Sequence, residues 1–364
     1  MTAETEASSP ALDIARDAPV MVTGATGYVA GRLIERLLEL GLTVHATVRD
    51  PANEEKRAAL DALAARSAGE IRYFKADLEN PEDFDAPMAG CRVVFHTASP
   101  FRLDIKDAKR DLVDPAVNGA RNALGAANRT QSVERVVLTS SCAAIYGDNA
   151  DLADAPGGVL TEDVWNTSST LGHQPYSFSK TEAEREAWRI ADAQDRWRLV
   201  AVNPSFVIGP AIDPGAGSES LSLISRIGNG ALKTGVPHLE IGAVDVRDVA
   251  EAHIRAGFLP GAEGRHIVSA RTTRLMEIAE ILRARFGGDY PLPKAELPKW
   301  MVWLVGPMAD PTLTRRMVSR NVGWPFRADN TKSRASLGME YRAIEPGLEE
   351  MFAQLIEAGR IKQR

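Results

Sequence analysis

Only two cysteines, Cys91 and Cys142, occur in the 364 residues of this chain. They are too few for a disulfide framework and too far apart for a metal-binding motif, so no metal site is expected. A reducing, cytoplasmic compartment is the expectation. Long apolar runs are missing too. The most apolar stretch near the C-terminus, Trp300-Met301-Val302-Trp303-Leu304-Val305, is far shorter than the roughly 20 residues of a membrane span. It reads as a buried helix, not a membrane-surface anchor. Residues 1–17 are rich in Ala, Ser, Glu and Thr without an apolar centre. They read as a disordered tail, neither signal peptide nor span. Positive charge is not in excess: the net charge is −6 and no basic stripe stands out, which argues against nucleic acid as a partner. Internal repeats are absent. What remains is the composition of an ordinary globular protein, long enough for one large domain or two intimate ones.

Against that background, one segment carries a specific signal. Val20-Met21-Val22-Thr23 reads as a short apolar strand, Gly24-Ala25-Thr26-Gly27 as a glycine turn, and Tyr28-Val29-Ala30 as the start of a helix. Such a unit turns backbone N–H groups and a helix N-terminus toward a pyrophosphate. Gly24 permits the tight turn, and Gly27 allows close approach because no Cβ intervenes. Strand-like and helix-like stretches then alternate. Thr43–Val48, Ile71–Lys75, Val93–Thr97, Arg135–Thr139 and Arg198–Val202 are strand candidates with helical patterns between them. This order predicts an α/β fold with a Rossmann-type, doubly wound parallel sheet.

After Pro204 the pattern changes to short helices and Pro-rich turns, predicting a smaller lobe over the C-terminal edge of the sheet. The expected boundaries are a dinucleotide-binding domain over 18–205, with returning segments near 236–270. The substrate lobe is expected over 206–235 and 271–364. The crevice between them is the expected substrate site.

The second strand closes with Thr47-Val48-Arg49-Asp50-Pro51. An acidic residue there would hold a ribose 2′-hydroxyl. Val48 cannot, whereas Arg49 could grip a 2′-phosphate through its planar fork. Lys56 could add a second positive charge. Asp50 could instead bind a 2′-hydroxyl, so NADP(H) is favoured and NAD(H) remains open.

Tyr176 and Lys180 are four residues apart and share one helix face. A free tyrosine has a pKa of about 10 and needs help to exchange a proton near neutrality, which an adjacent ammonium group provides. A hydroxyl from Ser141, with Ser140 as the fallback, would hold a substrate oxygen as charge develops on it. Together these residues describe hydride delivery to a carbonyl carbon with Tyr176 as general acid, or the reverse oxidation.

Taken together, the chain resembles the extended short-chain dehydrogenases/reductases, and among them the dihydroflavonol reductase-like carbonyl reductases. The segments that carry the resemblance include Val22–Ala30, Ala46–Pro51, Lys75–Leu78, Val94–Pro100, Leu138–Ser141, Tyr176–Glu184, Pro204–Pro210, Val244–His253 and Leu337-Gly338. The resemblance implies that Ser141 is the catalytic serine and that Arg49 and Lys56 contact a 2′-phosphate. It places Gly24, Thr26, Gly27, Tyr28 and Val29 at the cofactor phosphates. Asp77 and Leu78 would border the adenine, although Asp77 also reads as a turn or helix cap. Thr97, Ala98, Ser99 and Thr139 would run along the cofactor, with Pro204 and Val207 at the nicotinamide. Phe101, Tyr146 and Phe206 are candidate substrate walls, or plain core aromatics. A homodimer is common in that superfamily.

Two departures bear on substrate. Tyr146 stands where flavanonol reductases place an asparagine, and Gln174-Pro175-Tyr176-Ser177-Phe178-Ser179-Lys180 lacks the Asn-Trp-Tyr-Cys-Tyr-Gly-Lys of cinnamoyl-CoA reductases. The expected substrate is an aldehyde, ketone or α-dicarbonyl. A sugar-nucleotide epimerase or dehydratase, a 3β-hydroxysteroid dehydrogenase, and a non-catalytic dinucleotide-binding regulator are the alternatives.

Overall fold

The computed structural model of the protein describes residues 11–99, 105–310 and 312–363. Its first half alternates strand and helix: β1 (Val20–Val22), α1 (Tyr28–Glu39), β2 (Thr43–Val48), α2 (Glu54–Ala64), β3 (Glu70–Lys75), α3 (Asp85–Met88), β4 (Val93–His96), α4 (Asp114–Arg129), β5 (Arg135–Thr139), α5 (Pro175–Ala191) and β6 (Arg198–Pro204). The second half adds β7 (Phe206–Ile208), α6 (Glu219–Gly228), β8 (Val236–Pro237), β9 (Glu240–Asp245), α7 (Val246–Phe258), β10 (Gly264–Val268), β11 (Arg271–Arg274), α8 (Leu275–Phe286), β12 (Glu296–Leu297), α9 (Lys299–Ala309), α10 (Arg315–Asn321), α11 (Thr331–Ser336) and α12 (Ile344–Glu357).

The main sheet has seven parallel strands in the order β10-β6-β5-β4-β1-β2-β3. Its central strands carry apolar residues on both faces, as in Val136, Val137 and Leu138 of β5, because helices cover both sides. In α1, Leu33, Ile34, Leu37 and Leu38 are buried together, the spacing of one helical stripe. Gly41 ends that helix at φ +76°, with Gly41 N–H donating to Leu38 O (3.0 Å) and Leu42 N–H to Leu37 O (3.1 Å). The strand order reverses between β4 and β1, and there the two chain directions diverge to leave a crevice.

A second core joins α6, α8 and α12 through Leu221, Ile224, Ile227, Leu282, Leu348, Met351, Phe352 and Leu355. It is built against a three-stranded sheet of order β11-β9-β7. Of the segments near 236–270, β10 pairs with β6 in the main sheet and α7 packs on it, while β8 and β9 lie in the smaller sheets. The C-terminal region also contributes to the first core, through Leu337 and Met339.

Two sequence expectations are corrected. Residues 11–17 are not a loose tail. Leu12 and Ile14 pack against the main core, and Asp13 N–H donates to Phe258 O at 2.8 Å, so two apolar side chains and a backbone bond hold the segment down. The Trp300–Val305 run is helical but not buried. Only Val302 and Gly306 of α9 are buried, while Trp300 is 65% and Met308 87% exposed. This helix is apolar on all sides and packs mainly on the short α10, which can cover only one of its faces. Among the described residues, no helix is long and apolar enough to cross a membrane.

Candidate active site

The ends of six adjacent strands open into one cavity of about 710 Å³. Sheet order fixes the sequence of its lining. Pro204 ends β6, Thr139 ends β5 with Ser141 two residues beyond it, Thr97 follows β4, Gly24 follows β1, Arg49 follows β2 and Asp77 follows β3. Every cofactor residue expected from sequence lines it except Lys56: Gly24, Thr26, Gly27, Tyr28, Val29, Arg49, Asp77, Leu78, Thr97, Ala98, Ser99, Thr139, Tyr176, Lys180, Pro204 and Val207. Lys56 sits in the first turn of α2, where its backbone N–H donates to the Asn53 cap (3.0 Å), and its side chain is outside the lining. Phe101 lies outside the described residues.

The glycine turn is a close-fitting cradle. Gly24 has φ +64°, and a Cβ there would lie 3.0 Å from Ala98 Cα. Gly27 N–H donates to Gly24 O (2.9 Å), and Gly24 N–H donates to Thr47 Oγ1 (3.3 Å). Thr23, which was not expected from sequence, ties this turn to the end of β4. Its hydroxyl accepts from Ala98 N–H (3.0 Å), and its carbonyl accepts from Thr97 Oγ1. Helix α1 begins with Gly27 as a cap that has no side chain to satisfy its first N–H groups. Those donors, with the positive end of the helix dipole, face the cavity where a pyrophosphate would lie. Tyr28 turns its hydroxyl away to Gly209 O (2.6 Å), which locks the helix start to the segment after β7.

At the β2 and β3 ends, the Arg49 side chain is exposed and has no hydrogen-bond or ion-pair partner among the described residues. Asp50 is occupied, accepting from Ala52 N–H (3.0 Å) in the following turn. Asp77 is partly occupied as well. Its Oδ1 accepts from Glu79 N–H (3.0 Å), and its own N–H donates to Asp83 (2.9 Å), so it does form the turn that the sequence offered as a second reading.

At the β5 end, two adjacent serines divide their roles. Ser140 donates its hydroxyl to buried Glu184. Ser141 caps the following turn, its Oγ accepting from Ala143 N–H (3.1 Å), and its hydroxyl stands near enough to the Tyr176 phenol to act on it. Helix α5, which carries Tyr176, starts with Pro175 after Gln174 in the left-handed region at φ 55°. That conformation is uncommon for a residue with a side chain. The preceding turn is fixed by His173, whose ring meets buried Asp148 at 2.8 Å.

Lys180 is buried, and its Nζ donates to Thr139 O (3.5 Å). Burial pushes its pKa down to about 8, against the opposing pull of the Glu184 charge. Tyr176 is 40% exposed to the open cleft, yet the protein around its phenol pushes the pKa up, by desolvation first and the negative charge of Glu219 second, with the Ser141 hydroxyl acting the other way. This direction is opposite to the one expected from an adjacent ammonium. The Thr139 hydroxyl is not free either: it meets His253 Nε2 at 2.6 Å, while His253 Nδ1 donates to Val249 O.

Tyr146 and Phe206 line the cavity, and Tyr146 packs on Phe326 with ring centroids 5.2 Å apart. Sequence reading missed Ser205, Glu219, Ile241 and Gly242, which also line it. They come from the second half of the chain; Ser205 follows Pro204 within a segment that carries the resemblance, whereas no local motif marks Glu219, Ile241 or Gly242. Among the described residues, no cluster of His, Cys, Asp and Glu could hold a metal ion.

The sequence profile of the NAD dependent epimerase/dehydratase family matches residues 20–267. A cinnamoyl-CoA reductase of Medicago truncatula is 35% identical over 344 residues, 93% of this chain and 95% of that protein. An anthocyanidin reductase of Vitis vinifera is 36% identical over 76% of this chain and 85% of its own length. In structure, the chain is similar to the yeast methylglyoxal/isovaleraldehyde reductase Gre2 solved with NADPH. The TM-score is 0.76 at 28% identity, covering 94% of this chain and all of that one. The matched profile, the sheet order and the cavity at the strand ends together show that this chain belongs to the NAD dependent epimerase/dehydratase family, the extended short-chain dehydrogenases/reductases.

Proposed function

We propose that this protein is an NADPH-dependent reductase that converts an aldehyde, ketone or α-dicarbonyl to the alcohol. The observation that carries this reading is one continuous cavity. It holds Tyr176, Ser141 and Lys180 at the β5 end and Arg49, without a partner among the described residues, at the β2 end, with the glycine turn between them. The relatives named as reductases, and the solved reductase with NADPH, support it. When bound, the dinucleotide would supply a hydride to the carbonyl carbon.

The chain's own groups would do the rest. Ser141 and Tyr176 would share the carbonyl oxygen as hydrogen-bond donors, so that charge developing there meets two fixed dipoles. Tyr176 would then release its phenolic proton to that oxygen. A phenol pushed up by desolvation and Glu219 is fully protonated at neutral pH, the state a general acid needs. Lys180, one turn further along α5, holds positive charge beside the Thr139 carbonyl and would orient the nicotinamide ribose. Arg49 would take the 2′-phosphate through a charged, bidentate contact. Tyr146 in place of an asparagine, and the missing cinnamoyl-CoA reductase signature around Tyr176, favour simple carbonyls over dihydroflavonols or CoA thioesters.

The test is NADPH consumption across aliphatic and aromatic aldehydes and α-diketones, with wild type and Tyr176→Phe. Turnover by wild type is expected, with loss of about a hundredfold or more in the variant and little change in NADPH affinity. Full activity in Tyr176→Phe would remove the assigned chemistry.

A further inference from the structure

One carboxylate at the reacting end of the cavity has no part in the chemistry above. Glu219 opens helix α6 directly after the Asp213–Ser218 loop, and it lines the same cavity as Tyr176, Ser141, Phe206 and Ile241. It stands near enough to Tyr176 for its charge to act on the phenol. Leu221, Ile224 and Ile227 of the same helix are buried in the second core, so the carboxylate is carried on an anchored element.

Glu184, Asp148 and Asp151, by contrast, are engaged. Glu184 accepts from Arg265, Asn203 and Ser140, and Asp148 and Asp151 accept from Arg320. Glu219 makes no hydrogen bond or ion pair with any described residue. It opens to water through the cleft, yet enough protein surrounds it to raise its pKa by desolvation. Phe206 and Ile241 of the same lining offer no side-chain donor, and the hydroxyls of Ser205, Ser218 and Ser220, which also line the cavity, make no hydrogen bond to Glu219. When substrate fills the cleft and displaces water, an unpaired carboxylate there is unfavourable unless the substrate itself donates to it.

We propose that Glu219 selects the substrate: it accepts a hydrogen bond from a hydroxyl or ammonium group that the carbonyl compound carries away from its reacting oxygen, and it rejects compounds with a carboxylate in that place. The proposal rests on the reductase reading above. It separates two tasks within one cavity, because Tyr176 and Ser141 bind the oxygen that every substrate shares, and Glu219 reads the part that differs. A charged acceptor facing a donor group is a stronger contact than a neutral pair. An acid facing a second acid in a narrow cleft is repulsive.

The test compares benzaldehyde with its meta- and para-hydroxy and meta- and para-carboxy derivatives, using NADPH with wild type, Glu219→Gln and Glu219→Ala. The readout is the ratio of kcat/KM between each derivative and benzaldehyde within the same protein, which cancels any general loss of activity. In wild type, one hydroxy isomer is preferred and the carboxy isomers are poor. Glu219→Ala lowers the hydroxy preference about tenfold, the worth of one charged hydrogen bond in part. Glu219→Gln, which keeps the shape and removes the charge, raises the carboxy ratio by a similar factor. Ratios that stay within about twofold of wild type in both variants, with turnover intact, overturn the role of Glu219 and leave the reductase reading standing. Absence of turnover of every aldehyde by wild type overturns both.

Discussion

Glu184 and Arg265 form a buried ion pair, with Arg265 Nε 2.6 Å from Glu184 Oε1 and both side chains almost sealed from water. The pair sits directly behind the proposed active site. Glu184 also accepts from Ser140, Asn203 and Trp188, while Arg265 donates to Glu162 O and Val164 O and stacks on the Trp165 ring at 3.9 Å. Helix α5, the end of β5, β6 and β10 are thereby joined at one point.

Removing one partner of such a pair leaves a charge in the interior with nothing to balance it. Arg265→Met is expected to destabilise the protein by about 3–5 kcal/mol, because Glu184 would lose its cation and the carbonyls that Arg265 satisfies would lose their donor. Urea unfolding of wild type and variant gives the difference directly. A change below about 1 kcal/mol would mean that the network adds little beyond packing.

Glu184 also acts on Lys180, four residues earlier on the same helix. Its negative charge raises the lysine pKa, while burial brings that pKa down to about 8. Glu184→Gln removes that raising influence, at the cost in stability of leaving Arg265 without its anion, so in the folded protein Lys180 should lose its proton at lower pH than in wild type. If protonated Lys180 is needed for turnover, the alkaline limb of the kcat/KM profile moves to lower pH. A limb that stays in place, or moves upward, would show that Lys180 titration does not set it.

Arg49 is the residue to which the cofactor preference is assigned under the proposed function. Its guanidinium is exposed at the cavity rim with no partner among the described residues, while Asp50 is tied into a turn. Arg49→Ala should weaken NADPH binding about 10- to 100-fold, the loss of a hydrogen-bonded charge contact of roughly 1.5–3 kcal/mol, and change NADH binding far less. Lys56→Ala should have a much smaller effect, since that side chain is outside the cavity lining. Titration of both dinucleotides by fluorescence tests this, and equal losses for NADPH and NADH would remove the 2′-phosphate role of Arg49.

The readable parts of this protein are the ones in which a local pattern is also a local structure. Gly24 could be assigned from sequence because a turn that tight needs positive φ, and the structure shows φ +64°. Tyr176 and Lys180 share a helix face because four residues make one turn. Ser140 and Ser141 could not be separated by pattern, since only the position of Glu184, on another element, decides which hydroxyl is engaged. Glu219 was invisible for the same reason: it enters the cavity through a lobe whose packing is long-range. The Trp300–Val305 run shows the opposite failure. Its apolar character predicted burial, but among the described residues no element covers the faces of α9 that carry Trp300 and Met308.

His253 makes the stability of the fold depend on pH. Its ring is fully buried, donating from Nδ1 to Val249 O and accepting from Thr139 at Nε2. Burial pushes its pKa down to about 4, below the usual value of 6.5. Between pH about 4 and about 6.5 the unfolded chain therefore holds a proton on this residue that the native protein does not, so stability falls as pH drops through that window. The slope from one such proton is about 1.4 kcal/mol per pH unit. His253→Gln keeps a polar side chain at the Thr139 position and cannot titrate, so its unfolding free energy between pH 7 and pH 5 should fall less steeply than that of wild type by about one proton. Parallel slopes for the two proteins would show that His253 is already protonated in the native state.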